Sequence, residues 1–267
     1  LRHTLRKYEI DAVLHFAGSA YVGESVSDPS KYYKNNVAGG LSLLEAMRHE
    51  RVDNLIFSSS CATYGNPNFD VIDEKTVQSP INPYGRTKLI FEEILKDYFS
   101  AYGMNSISLR YFNAAGADRS GEIGECHLPC PHLIPNLIKS FNPKNPPLVI
   151  NGVDFGTEDG TCIRDFIHVQ DLAAAHVKAL LNILNRPQCS QLNLGTGRGY
   201  SILELVKLAS ELLGLPARYV VGERRVGDPG MLVADSALAY EHIGWLPRYD
   251  ITDILTDAIN WHAKGER

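Results

Sequence analysis

The chain lacks the features that mark several special classes of protein. No apolar run approaches the roughly 20 residues that cross a bilayer, and the N-terminus does not resemble a signal peptide. Its 26 basic and 31 acidic side chains give a net charge of -5, which argues against nucleic acid as the main partner. Cysteine is scarce, with five unevenly spaced residues in 267. That odd number favours a reducing, cytoplasmic compartment over a disulfide framework.

The segments of the first part of the chain alternate between strand-like and helix-like patterns. We predict strands at 10–16, 54–60 and 106–113, and helices at 36–50 and 83–102. Alternation of this kind predicts a parallel sheet with helices on both faces. We therefore expect an α/β fold whose first part, 1–113, belongs to a doubly wound, Rossmann-like parallel sheet.

The second part of the chain has a different character. Pro and Gly accumulate between 114 and 160, and the periodicity weakens. An amphipathic helix is predicted over 171–184, and Ser201 with Glu204 forms a capping box that opens a later helix. We assign 114–267 mainly to a smaller mixed α/β region, with 161–185 returning to the first sheet.

A glycine-rich turn is missing from the start of the chain. A doubly wound nucleotide-binding sheet needs a first strand followed by such a turn, because the pyrophosphate binds at the helix N-terminus. Neither Gly-x-Gly-x-x-Gly nor Gly-x-x-Gly-x-x-Gly occurs there. Gly195-x-Gly197-x-Gly199 has the wrong spacing, and we interpret it as a tight turn near the substrate. We expect an N-terminally truncated fragment whose sheet lacks its first strands.

Tyr84 and Lys88 form the most informative motif of the chain, and Ser60 precedes them at the end of a predicted strand. Residues four apart share one face of a helix. An ammonium group beside a phenol favours the phenolate, which lowers the pKa of the tyrosine from about 10. The pair therefore predicts a general base for a sugar or alcohol hydroxyl, and the Ser60 hydroxyl can share the proton.

Further sequence blocks accompany this motif from one end of the chain to the other. They are His15-Phe16-Ala17-Gly18, Val22-Gly23-Glu24-Ser25, Asn35-Asn36-Val37, Leu109-Arg110-Tyr111-Phe112-Asn113, Thr157-Glu158-Asp159-Gly160-Thr161, Arg164-Asp165-Phe166-Ile167-His168-Val169 and Asn193-Leu194-Gly195-Thr196-Gly197. With the Tyr/Lys pair, they make the sequence resemble the extended short-chain dehydrogenase/reductase superfamily. The fuller match is to the UDP-glucose 4-epimerase family, and it covers nearly the whole chain.

This resemblance implies an enzyme that interconverts UDP-glucose and UDP-galactose through transient oxidation at C4, with NAD+ bound throughout. It implies Tyr84 as the base, Lys88 as the group that lowers its pKa and binds ribose, and Ser60 as the assisting hydroxyl. The cofactor contacts implied are Ala17, Gly18, Asn35, Ser58, Tyr84, Lys88 and Tyr111. The substrate contacts implied are Ser60, Asn113, His132, Arg164, Arg225 and Asp228.

Several of these residues also have a physical reason for their role. Ala17 and Gly18 follow a strand, where open α/β sheets bind ligands. The guanidinium group of an arginine, such as Arg164 or Arg225, can donate two parallel hydrogen bonds to the oxygens of a phosphate. Asn35 can in addition act as the N-cap of the helix predicted from residue 36.

Alternatives within the same fold stay open. One is a related 4-epimerase acting on UDP-xylose, UDP-arabinose or a UDP-N-acetylhexosamine, because the sugar pocket differs by few side chains. By resemblance, the position of Leu232 limits the space around the sugar, and Leu is intermediate in size; Ala20 stands where the family has Lys. A 4,6-dehydratase is disfavoured, because Cys61-Ala62 replaces the carboxylate pair that such enzymes need.

One segment of the chain contains several residue types that bind metals. Cys126-His127-x-x-Cys130-x-His132 carries zinc-binding residue types. Its spacing matches no common finger or ribbon, and the segment falls on the family's substrate loop. We predict no metal site.

The alternative from another class is a non-catalytic fragment that cannot hold NAD. Without its first strands, the run 10–16 would form an open apolar edge, which invites pairing with another chain. An in-frame Gly-x-x-Gly-x-x-Gly upstream would restore the enzyme interpretation. The resemblance further implies a homodimer, in which helices 36–50 and 83–102 form a four-helix bundle.

Overall fold

The structure is a computed structural model that describes residues 1–67, 71–127, 130–225 and 228–265. The helices are α1 (Arg2–Lys7), α2 (Val22–Ser27), α3 (Pro29–Tyr32), α4 (Gly39–Glu50), α5 (Pro83–Tyr102), α6 (Leu133–Ser140), α7 (Val169–Asn185), α8 (Ile202–Leu213), α9 (Ala237–Ile243) and α10 (Ile251–Gly265). The strands are β1 (Val13–His15), β2 (Asn54–Ser60), β3 (Asn105–Tyr111), β4 (Asn113–Ala115), β5 (Leu148–Asn151), β6 (Ile163–His168), β7 (Cys189–Leu194), β8 (Gly199–Ser201), β9 (Tyr219–Gly222) and β10 (Met231–Leu232). Within these residues, no helix is both long and apolar enough to cross a membrane.

The first sheet consists of four parallel strands in the order β1-β2-β3-β7. Its register places Ile56 opposite Ile107, and Leu109 opposite Leu192. The predicted parallel sheet is confirmed. Strand β1 lies at an edge of this sheet and is shorter than the run predicted from the sequence, since Phe16 already lies outside it and is 55% exposed.

Helices cover both faces of this sheet. Neighbouring residues of a strand point to opposite faces, so consecutive apolar residues must be buried on both sides. Leu55 and Phe57 belong to a buried cluster that includes Phe91 of α5 and residues of α4. Ile56 belongs to another cluster, which includes Ala175 of α7 and residues of α9. Parallel strands buried on both faces are typical of α/β proteins.

The second region contains a mixed sheet in the order β10-β6-β4, with β8 antiparallel to β6, and a separate parallel pair of β5 and β9. Its core is formed by apolar residues of α6, α8 and α10, together with Phe155 and Phe166. Helix α7 packs on the first sheet, whereas β6 pairs within the mixed sheet. Strand β7, which follows residue 185, also joins the first sheet.

The start of the helix before β2 differs from the prediction. The helical run begins at Pro29 rather than at residue 36, and the Asp28 carboxylate caps it by accepting from the Lys31 amide at 3.2 Å. A π-helix over Tyr33–Ala38 then leads into α4. Asn35 lies inside this π-helix, so its predicted role as an N-cap is wrong. The capping box of Ser201 and Glu204 is confirmed.

Candidate active site

The candidate site lies at the carboxyl edge of the first sheet. Ser60, the last residue of β2, is opposite Tyr111, the last residue of β3. His15 ends the neighbouring strand β1, and Ala17 and Gly18 follow it. Carboxyl ends of parallel strands meet at one edge, so the topology brings these predicted site residues together.

The N-terminus of α5 presents Tyr84 to this edge. Pro83 begins the helix, and the Asn82 side chain caps it by accepting from the Gly85 amide at 2.8 Å. A Cβ atom at Gly85 would lie 2.3 Å from the carbonyl oxygen of Ala62. Glycine therefore allows the helix to approach the turn that follows Ser60.

Lys88 lies one helical turn after Tyr84 and is buried, with 5% of its surface exposed. Its ammonium group donates to the Ser58 carbonyl oxygen at 2.6 Å and lies 5.7 Å from the centre of the Tyr84 ring. Burial lowers the pKa of Lys88 to about 8, although the negative charge of Glu92 opposes the shift. The predicted Tyr/Lys juxtaposition is therefore present.

The pKa of Tyr84 moves in the direction opposite to our expectation. Burial raises it, and the hydrogen bond with Ser60 lowers it only in part. The prediction that Lys88 lowers the pKa of Tyr84 is therefore wrong for the chain without ligands. The Lys88 ammonium is directed to the Ser58 carbonyl, and the desolvation of Tyr84 dominates its pKa.

Small residues and a buried amide shape the loop after β1. A Cβ atom at Gly18 would lie 3.3 Å from Asn36 Oδ1 and 3.6 Å from Lys88 Nζ. Asn36 is 6% exposed; its Oδ1 accepts from the Ser19 amide at 2.8 Å, and its Nδ2 donates to Thr87 Oγ1 at 3.0 Å. Asn35, the predicted cofactor contact, is exposed and donates to the Ser19 hydroxyl at 3.2 Å. Asn36 thus ties the loop to α5.

Two further predicted cofactor contacts meet at the same edge. The hydroxyl groups of Ser58 and Tyr111 are hydrogen-bonded to each other. Burial raises the pKa of Tyr111, and this hydrogen bond opposes the shift. Asn113, a predicted substrate contact, begins β4 and is half-buried.

The predicted phosphate-binding residues lie in the second region. Arg164 of β6 is 7% exposed and donates to the Asp228 carboxylate at 2.5 Å and to the Pro229 carbonyl oxygen at 2.7 Å. It is opposite Leu232 of β10, which belongs to a buried cluster with Cys61. The ion pair of Arg164 and Asp228 therefore lies close to the end of β2.

The remaining predicted substrate residues are exposed. Arg225 is exposed and lies next to residues 226 and 227, which are outside the described residues. His132 precedes α6 as its N-cap residue, and its ring nitrogen Nδ1 lies 2.5 Å from Glu125 Oε1.

The turn from Gly195 to Gly197 does not offer free amides to a phosphate. The backbone amides of Thr196 and Gly197 donate to the Asp165 carboxylate at 2.9 and 3.0 Å. This geometry agrees with its interpretation as a tight turn.

A buried ion pair behind the site was missed by the sequence analysis. Glu92, two turns after Tyr84, is 0% exposed and accepts from Arg110 of β3 at 2.9 and 2.6 Å. Ser59 of β2 donates to the same carboxylate at 2.5 Å. The signal was the spacing of Tyr84, Lys88 and Glu92 in steps of four, which puts all three on the face that meets the sheet.

A parallel α/β sheet with a serine at a strand end and a Tyr/Lys pair on the following helix defines a Rossmann-like enzyme of the extended short-chain dehydrogenase/reductase class. The profile of the NAD dependent epimerase/dehydratase family matches residues 1–195. The chain is 46% identical over 264 residues to the UDP-glucose 4-epimerase of Rhizobium meliloti (strain 1021), covering 99% of this chain and 80% of that protein. The chain therefore belongs to this family, and within it to the UDP-glucose 4-epimerases.

Solved structures agree with this assignment. The crystal structure of UDP-glucose 4-epimerase from Brucella ovis in complex with NAD is 52% identical, with a TM-score of 0.93, covering 97% of this chain and 80% of that one. The enzyme from Bifidobacterium longum in complex with NAD+ and UDP is 38% identical, with a TM-score of 0.95, covering 99% and 80%.

Proposed function

We propose that the protein interconverts UDP-glucose and UDP-galactose by inverting the sugar at C4. The observation that carries this proposal is the placement of Tyr84 and Lys88 on one face of α5, at the carboxyl edge of the sheet where β2 ends in Ser60. The identity to UDP-glucose 4-epimerases supports the choice of substrate.

The residues at this edge fit the nicotinamide and ribose end of NAD+. Ala17 and Gly18 leave an exposed surface without bulky side chains, and a Cβ atom at Gly18 would fill space next to Lys88. Lys88, Ser58 and Tyr111 supply polar groups there. NAD+ held by these residues would supply the acceptor for the C4 hydride and the same hydride for its return to the other face of the sugar.

The side chains of the chain manage the proton of the 4-hydroxyl. Tyr84 removes this proton and later returns it, while the Ser60 hydroxyl shares it. Because burial raises the pKa of Tyr84, the phenolate that acts as the base needs a nearby positive charge to form. The ammonium group of Lys88 provides the positive charge that stabilises the phenolate during transfer.

The second region holds the UDP part of the substrate. Arg164 and Arg225 bind the diphosphate, because guanidinium groups pair with phosphate oxygens, and Asn113 and His132 complete this end. Asp228, now paired with Arg164 at 2.5 Å, binds a ribose hydroxyl when the diphosphate takes its place on the guanidinium.

A homodimer through α4 and α5 is part of the proposal. Both helices cover the same face of the first sheet, so a two-fold partner can pack against them side by side. The sedimentation coefficient of the purified protein tests this point, since a monomer at micromolar concentration contradicts it. A cytoplasmic location stays a prediction from the cysteine content.

The experiment that tests the function is an assay of UDP-galactose conversion with NAD+ supplied, coupled to detection of UDP-glucose. We expect turnover that falls at least about 100-fold in Tyr84→Phe, because the general base is lost. Tyr102→Phe is the matched control, since Tyr102 is 56% exposed at the end of the same helix. Equal turnover in wild type and Tyr84→Phe contradicts the proposal.

A further inference from the structure

Four potential metal ligands gather in the segment between β4 and α6. The ligand atoms of Glu125, Cys130 and His132 all lie within 4.8 Å of one another. The ring of His127 lies beside that of His132, with centres 5.5 Å apart and planes at 88°. We call these four residues the Cys/His cluster.

One carboxylate oxygen stands at the centre of the Cys/His cluster. Glu125 Oε1 lies 2.5 Å from His132 Nδ1, 3.1 Å from His127 Nδ1 and 3.2 Å from Cys130 Sγ. A sulfur, two imidazole nitrogens and a carboxylate oxygen are the ligands that Zn²⁺ takes in tetrahedral sites. Around one tetrahedral Zn²⁺ such atoms stand about 3.3–3.6 Å apart. The ligand atoms of Glu125, Cys130 and His132 lie within 4.8 Å of one another, so these three approach that spacing, and His127 lies beside them.

The polar contacts of the cluster converge on one anionic group. The Glu125 carboxylate oxygen contacts His127, Cys130 and His132. A bound Zn²⁺ would replace the protons that these groups now share and would hold Cys130 as the thiolate.

The surrounding structure already fixes the backbone of the cluster. Asn136 of α6 donates to the carbonyl oxygens of Cys130 and His132 at 2.9 and 2.8 Å. Trp261 of α10 donates from Nε1 to the Glu125 carbonyl oxygen at 2.9 Å. Outer contacts of this kind hold metal ligands in position and reduce the ordering that binding requires.

We propose that Glu125, Cys130 and His132 bind one Zn²⁺ per chain, with His127 turning in as the fourth ligand. His132 binds through Nδ1, which leaves its Nε2–H for the substrate. From the sequence, Cys126, His127, Cys130 and His132 were weighed as zinc ligands and no metal site was predicted. Cys126 is exposed and lies outside the cluster, whereas Glu125, which was not considered, lies inside it. The arrangement depends on how the chain folds back between β4 and α6, which spacing alone does not reveal.

The test is a titration of metal-free protein, first with Co²⁺ and then with Zn²⁺. We expect one equivalent of Co²⁺ to produce the visible absorption of a tetrahedral ion and a thiolate charge-transfer band, and one equivalent of Zn²⁺ to remove both. Cys130→Ser should lose the charge-transfer band. Cys130→Ser and His132→Ala should each bind Zn²⁺ at least about tenfold more weakly. Cys126→Ser is the matched control and should behave as wild type.

Tryptophan fluorescence provides a second measurement, because Trp261 contacts the Cys/His cluster without belonging to it. Zn²⁺ should change the tryptophan fluorescence of wild type but not that of Trp261→Phe, because Trp245 is buried in another cluster. Circular dichroism establishes that each variant is folded. The proposal is overturned if folded wild type binds no equivalent of Co²⁺ or Zn²⁺, if Cys130→Ser keeps the thiolate band, or if Cys126→Ser loses it.

Discussion

Replacing Glu92 with Ala removes the carboxylate that fixes α5 to β3. The guanidinium of Arg110 is 2% exposed and loses its counterion, which it contacts through two nitrogens at 2.9 and 2.6 Å. Removal of one member of a buried ion pair costs about 3–5 kcal/mol, because the other charge stays buried without a partner. Ser59 and Gln78 also lose an acceptor. We expect Glu92→Ala to lower the free energy of unfolding by about 3–5 kcal/mol.

The next residue of the chain supplies a matched control. Glu93 forms an ion pair with Lys96 at 2.8 Å, with 57% and 44% of the two side chains exposed. Exposed pairs contribute about 0–1 kcal/mol, so Glu93→Ala should change stability little. The double variant Glu92→Leu with Arg110→Met should recover part of the loss, because it leaves no unpaired charge in the interior.

Urea unfolding at neutral pH, followed by circular dichroism, measures these differences. If Glu92→Ala loses no more stability than Glu93→Ala, the buried pair does not anchor the helix and the reasoning is refuted. We also expect Glu92→Ala to reduce turnover with UDP-galactose, because Tyr84 and Lys88 lie on the helix that Glu92 holds in place. Glu92 is thus a positioning residue.

Further predictions concern the same edge of the sheet. The pKa of Lys88 is about 8 in the folded chain and about 10.4 in the unfolded chain. Between these pH values the unfolded chain binds more protons, so the free energy of unfolding rises with pH by roughly 3 kcal/mol. The urea midpoint of Lys88→Met should lack this rise, and an equal rise in wild type and variant would contradict the prediction. Gly85→Ala should cost about 1–3 kcal/mol, because its Cβ meets a backbone carbonyl at 2.3 Å. Gly23 has open space around it, so Gly23→Ala should not lower the stability. Equal melting temperatures of the Gly85→Ala and Gly23→Ala variants would contradict these two predictions. Asn36→Ala should cost about 1–3 kcal/mol in urea unfolding, whereas Asn35→Ala should stay within about 0.5; the reverse order would contradict the assignment of the buried amide.

The features that local spacing determines could be predicted from the sequence. The pairing of Tyr84 with Lys88 follows from the period of a helix, and the parallel sheet follows from the alternation of short apolar runs with helical segments. Ser60 lies at the site because the carboxyl ends of parallel strands meet at one edge. These inferences need no knowledge of distant contacts.

The remaining features depend on residues that are far apart in sequence. Arg164 and Asp228 are separated by 64 positions, and the sequence indicated charges without indicating that they pair. The choice between Asn35 and Asn36 depended on the π-helix, which rotates one amide inward. The pKa of Tyr84 could not be predicted because it depends on burial by the folded chain, which outweighs its hydrogen bond with Ser60.

The most direct test of the central claim follows the hydrogen at C4. The protein is incubated with NAD+ and UDP-galactose that carries deuterium at C4, and the UDP-glucose formed is analysed by mass spectrometry and NMR. Transient oxidation with return of the same hydride predicts UDP-glucose that retains deuterium at C4. Loss of the label to solvent, or folded protein that forms no UDP-glucose, contradicts the account.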